Sequence, residues 1–208
     1  MTWQIWSAFF VIETALCLTP GPAVLLVLSQ ALTRGTLKTI WSIGGILAAN
    51  TLYFVLSATG VGAILLVSYD LFFAIKWLGA AYLVWLGVNA FLGRSKTFSI
   101  RAGDPGPVRG SRLFLNGFIL QMSNPKALIF FTALVPQFIN PHAALVPQVV
   151  ILAVTSVVIE FFVQLFYALL AGRAAHLAAQ PRFASVTNRV AGSLLIGAGI
   201  GMAALRRT

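Results

Sequence analysis

Two carboxylates and one ammonium stand where a long apolar chain should carry no charge. Glu13, Lys126 and Glu160 each lie inside an apolar run, in a chain of 208 residues with only four acids. A charge near the middle of a membrane helix costs about 2.5–3.5 kcal/mol on insertion scales, so such a group marks ion or substrate handling by default. Glu13 is about ten residues into its run, roughly 15 Å deep at the rise of an α-helix. Glu160, Gln164 and Tyr167 follow i, i+4, i+7 spacing and share one helical face. Asn50, Tyr53 and Ser57 follow i, i+3, i+7 and do the same. The chemistry this implies is proton exchange at Glu160, with Glu13 beside it, and hydrogen bonding of a polar solute by Asn50, Tyr53 and Gln164. The bland alternative is a permanent Glu160–Lys126 pair, or a protonated carboxyl holding helices together.

Two proline motifs must position these groups. Thr19-Pro20-Gly21-Pro22 interrupts the first apolar run and Ser123-Asn124-Pro125-Lys126 the fourth, with Pro20 and Pro125 lying 105 residues apart. A break inside a membrane span is tolerated only where the freed backbone is buried in protein or lines a cavity. Matching breaks in two halves of a chain point to a transporter's binding site. Each motif ends one half-helix and starts another whose first N–H groups favour an anion. Thr19, Pro20, Gly21, Pro22, Asn124, Pro125 and Lys126 therefore join the expected binding site. A zwitterion suits it: its carboxylate meets the half-helix N-termini or Lys126, and its ammonium meets Glu160, Asn50 or loose carbonyls.

Composition sets the surroundings. The chain is 59% hydrophobic and 9% charged, with a mean hydropathy of +0.93; soluble domains carry about 25% charged residues. An all-α polytopic membrane protein of residues 1–208 follows, set in a lipid bilayer. Spans are expected at 3–32, 40–66, 71–93, 113–138, 146–171 and 189–205. The linker 94–112 divides two pseudo-repeats, 1–93 and 113–208, and three spans in each make the repeat inverted. With the N-terminus outside, ten of the fourteen basic residues fall in loops 33–39, 94–112 and 172–188 and at Arg189. Cytoplasmic loops carry such an excess, so despite a net charge of +10 no nucleic-acid partner is expected. Arg206 and Arg207 dissent from this count, which keeps five spans plus a re-entrant segment as the alternative. Gly197 and Gly201 have the spacing of a helix-contact motif and allow a homodimer through the sixth span. Cys17 is the lone cysteine, and His142 and His176 fall in expected loops. Neither metal nor other cofactor is expected.

The residues as a set resemble the LysE/RhtB superfamily of amino-acid exporters. The resemblance runs through Leu18-Thr19-Pro20-Gly21-Pro22, Gly44-Gly45-Ile46 leading to Asn50, and Gly79-Ala80-Ala81-Tyr82-Leu83. It continues through Asn116-Gly117-Phe118, Asn124-Pro125-Lys126-Ala127 and Pro136-Gln137-Phe138. It implies a six-helix carrier of the bacterial inner membrane that exports amino acids, driven by proton antiport. Members often carry an acid where this chain has Asn50, which shifts ion coupling toward Glu160. With few central carboxylates, a neutral substrate of the threonine, homoserine or leucine kind is favoured over lysine or arginine. A passive channel is the alternative, and an intramembrane enzyme a weaker one, since no His-Glu-x-x-His or Gly-x-Ser-x-Gly pattern occurs.

Overall fold

The computed structural model describes residues 1–58, 69–92, 108–140, 142–173 and 181–204, and every regular element among them is helical. Helix α1, Trp3–Leu18, starts on Thr2, whose hydroxyl accepts from the Ile5 N–H, and stops where Thr19 turns extended (φ −74°, ψ 119°). A residue before proline is pushed out of the helical region. Helix α2, Pro22–Arg34, opens on a proline at its first position, where the missing N–H costs nothing. It closes on Gly35, whose φ of 82° reverses the chain directly into α3, Thr36–Ala58. Helix α4 spans Tyr69–Phe91 and α5 Gly110–Met122. Asn124 then caps α6, Pro125–Ile129, by accepting from the Lys126 N–H at 3.1 Å. The chain runs on as a π-helical turn, Phe130–Leu134, and a 3-10 turn, Val135–Phe138. Helices α7, Leu145–Arg173, and α8, Pro181–Ala204, complete it.

Thr36–Ser57 and Leu145–Arg173 are each long and apolar enough to cross a membrane alone, with mean hydropathies of 1.5 and 2.4. The α1–α2 pair, bent by 53°, and the pair from Gly110 to Phe138, bent by 55°, qualify as broken spans. Both breaks lie where the prolines place them. Two boundaries differ from expectation. Loop 33–39 shrinks to Gly35 between two helices, and the last helix begins at Pro181, eight residues before the apolar run. Hydropathy measures only the apolar part of a helix, while polar residues extend its ends into water without disturbing its hydrogen bonds. Most of linker 94–112, residues 59–66 of the second expected span, and His176 lie outside the described residues.

Polarity is arranged inside out. Val11, Leu78, Val146, Phe162 and Ile200 are exposed, whereas Glu13, Asn50, Gln121, Glu160 and Gln164 are buried. Large exposed apolar surface marks a membrane or partner face, and the described helices present many large apolar side chains outward. Glycines let helices touch at their backbones. A Cβ on Gly117 would overlap the Ser42 carbonyl and one on Gly45 the Phe114 carbonyl, locking α3 to α5. In the same way Gly87 of α4 meets Gly192 of α8, where an added Cβ would lie 2.8 Å from the facing carbonyl. Gly197, by contrast, has nothing within 4 Å of such a Cβ. Helix α7 packs against α1, α2 and α3, and so carries Glu160 into the middle.

Candidate functional site

A small, partly open cavity lies between the two breaks. Its walls come from both halves of the chain: Glu13, Cys17 and Gly21 from the first, Asn124, Lys126 and Phe130 from the second. Asn50, Gln121, Glu160 and Gln164 line it as well.

The polar wall is a directed series of amides. Asn124 Nδ2 donates to Gln121 Oε1 at 3.0 Å, and Gln121 Nε2 donates to Asn50 Oδ1 at 2.7 Å. Asn50 Nδ2 donates to Glu160 Oε2, and Gln164 Nε2 reaches Glu160 Oε1 at 3.4 Å. Asn124, Gln121 and Asn50 each receive on the oxygen and give on the nitrogen, so their series ends on the carboxylate, which only accepts. Glu160 is 7% exposed and Gln164 3%. The Oε1 of Gln164 has no hydrogen-bond partner among the described residues. A buried acceptor left unpaired is costly, and here it lines the wall beside Glu160. Across the cavity, Glu13 Oε1 accepts from Ser156 Oγ at 2.6 Å and lies 3.6 Å from Cys17 Sγ.

Lys126 crosses from one break to the other. Its ammonium donates to the carbonyls of Leu16 at 2.8 Å and Thr19 at 3.0 Å. These belong to the C-terminal end of α1, where unpaired carbonyls favour a cation. Pairing of Lys126 with Glu160, the bland alternative, is therefore not the arrangement found. Tyrosines secure the ends that the prolines cut. Tyr53 OH donates to the Met122 carbonyl at 2.8 Å, and Tyr167 OH to the Leu18 carbonyl at 2.8 Å.

Of the expected site residues, Glu13, Gly21, Asn50, Asn124, Lys126, Glu160 and Gln164 line the cavity. Thr19, Pro20, Pro22, Pro125 and Tyr53 do not. Thr19 contributes its carbonyl to Lys126, while its hydroxyl turns back to Ala15. The prolines make the breaks and stand outside the walls. Sequence reasoning missed Gln121, Cys17, Phe130 and Phe131. Gln121 was findable: it is a polar residue in an apolar run, three positions before Asn124, which is the criterion that singled out Gln164. Ring stacking of Tyr53 on Phe131, with centroids 5.1 Å apart, had no comparable signal.

A helical bundle with an apolar exterior, interrupted helices and a buried polar chamber at the interruptions defines a multi-pass membrane protein of the transporter class. Comparison with known proteins makes this specific. Residues 14–205 match the model of the LysE type translocator family, and the chain belongs to that family. It is 32% identical over 206 residues to a homoserine/homoserine lactone efflux protein of Salmonella typhimurium, covering 99% of each chain. It is 26% identical over 202 residues to a leucine efflux protein of Enterobacter sp. strain 638, covering 96% of this chain and 92% of the relative. An uncharacterized membrane protein of Vibrio cholerae is 30% identical, covering 96% of this chain and 97% of the relative. No solved structure gives a significant match.

Proposed function

We propose that the chain exports small neutral amino acids from the cytoplasm by proton antiport across the bacterial inner membrane, as six spans in two inverted halves with the N-terminus outside. The observation that carries this reading is Glu160: a buried carboxylate at the end of a directed amide series, in a chamber walled by both breaks. Relatives named for homoserine and leucine efflux support an amino-acid cargo.

The chamber has a place for each part of such a substrate. Helix α2 starts on Gly21 with no side-chain cap, so the N–H groups of Ala23 and Val24 lack intrahelical partners. Both residues line the cavity beside Lys126, and together they receive the carboxylate. The substrate ammonium takes Glu160 and the unpaired Oε1 of Gln164. Its side chain lies against Leu16, Ala127, Phe130 and Phe131. Protonation of Glu160 from outside removes the anion that holds the ammonium and releases the amino acid outward. Proton loss to the cytoplasm restores the site. Each cycle brings one positive charge inward, worth about 2.3 kcal/mol per 100 mV of inside-negative potential. A cationic substrate would cancel that charge and lose the contribution.

The test is proteoliposomes loaded with homoserine or leucine and given an inward proton gradient. Glu160→Gln keeps the side chain's size and one acceptor oxygen but cannot exchange a proton, so efflux should lose its response to the gradient while the protein still inserts. Undiminished coupling in that variant refutes the assignment.

A further inference from the structure

Glu13, Cys17 and Glu160 bring one ligand atom each to within 4.8 Å of one another. They come from α1 and α7, 147 positions apart at the extremes. We infer that these three side chains, with the unpaired Oε1 of Gln164, form a binding site for one thiophilic divalent cation of the zinc or cadmium kind.

Geometry supports it first. Around a four-coordinate ion with a metal–sulfur bond near 2.3 Å and metal–oxygen bonds near 2.1 Å, neighbouring ligand atoms lie about 3.6 Å apart. Cys17 Sγ and Glu13 Oε1 are 3.6 Å apart already. The Glu160 oxygen lies within 4.8 Å of both other ligand atoms, so a small approach completes the set. Gln164 follows Glu160 by one helical turn, lines the same cavity and is 97% buried, with an acceptor that no described group satisfies. That orphan is independent of the three-residue cluster, and it supplies the fourth ligand, an oxygen.

Charge and softness define the ligand class. Two carboxylates facing each other in a buried space gain from a dication, and Lys126 instead holds its ammonium on the Leu16 and Thr19 carbonyls. A thiolate among oxygens selects zinc- or cadmium-like ions over magnesium and calcium, which take oxygen donors alone. Binding transfers the Cys17 thiol proton to solvent as the sulfur–metal bond forms; nothing is oxidised. Because the ion takes the oxygens of Glu160, it excludes an amino-acid ammonium from the same chamber. The binding claim stands apart from the transport reading, since it is measured without flux.

Cys17 is the sole cysteine, so an ultraviolet sulfur-to-cadmium charge-transfer band reports this site alone. Titrating the purified protein in detergent with Cd²⁺ should raise that band and saturate at one ion per chain. Zn²⁺ should abolish it stoichiometrically and millimolar Mg²⁺ should leave it. Cys17→Ser should remove the band. Glu13→Gln should weaken affinity at least tenfold in protein that elutes like the parent, and Gln164→Leu severalfold. No band, or a band that ignores Zn²⁺, overturns the inference. So does a Glu13→Gln affinity equal to the parent's, because sulfur alone would then be binding the ion.

Discussion

The two breaks bend the chain almost equally, by 53° and 55°, yet they continue differently. After Pro22 the chain resumes as a regular thirteen-residue helix, α2. After Pro125 only five residues are α-helical before a π turn and then a 3-10 turn. The first continuation packs aliphatic residues, among them Val24, Leu26 and Val27. The second carries Phe130 and Phe131, whose rings meet Phe9 at 6.1 Å and Phe54 at 4.9 Å. Backbone that switches between hydrogen-bond registers is commonly found at functional sites, and here it adjoins the cavity. One break therefore rests on a regular helix, the other on an irregular aromatic plug.

The breaks also differ in who satisfies them. Among the described residues, three side-chain hydrogen bonds from other helices reach the cut end of α1: two from Lys126 and one from Tyr167. Among the same residues the cut end of α5 receives one, from Tyr53, and Asn124 caps the next helix locally. This asymmetry is open to direct attack.

The largest effect is expected from Lys126→Met. It removes both ammonium bonds to the first break, and hydrogen bonds to charged groups are worth about 1.5–3 kcal/mol. Efflux from loaded proteoliposomes should fall at least tenfold; near-normal flux would show that the two breaks need no bridge. Next comes Gly117→Val, which drives a side chain into the Ser42 carbonyl. Overpacking costs about 1–3 kcal/mol, and the detergent-solubilised protein should lose several degrees of melting temperature. An unchanged melting curve would mean that α3 and α5 are not closely packed.

Gln121→Leu cuts the amide series in its middle, orphaning Asn50 Oδ1 and Asn124 Nδ2. A buried unpaired polar group costs about 1–3 kcal/mol, so the apparent KM for the amino acid should rise several-fold. A KM within twofold of the parent would remove Gln121 from the site. The smallest and most discriminating pair is Tyr53→Phe against Tyr167→Phe. Hydrogen bonds between membrane helices average about 0.6 kcal/mol. Tyr53→Phe should still lower the efflux rate more, because the second break has fewer supports. Equal effects would erase the contrast between the two breaks.

Much of this was legible in the residue order. Proline lacks an N–H wherever it stands, so the positions of both breaks follow from local chemistry. Glu160, Asn50 and Gln164 were found because burying polar groups among apolar ones needs a reason. Tyr53 and Gln121 went the other way. A tyrosine on the polar face of α3 looked like a solute contact, yet it is spent on a carbonyl of another helix. Gln121 stands one turn before a break whose fold decides what it faces.

Composition and spacing by themselves determined that this chain lies in a membrane, that it is helical, and where its helices are cut. Those are properties of single residues and near neighbours, set by transfer energies and backbone sterics. Only the tertiary structure decided that Lys126 serves the opposite break rather than Glu160. It also decided that four amides line up toward one carboxylate, and that Glu13, Cys17 and Glu160 converge. Most of these pairings join residues on different helices, such as Lys126 and Leu16, 110 positions apart, and their energies depend on distances that close only when the helices pack.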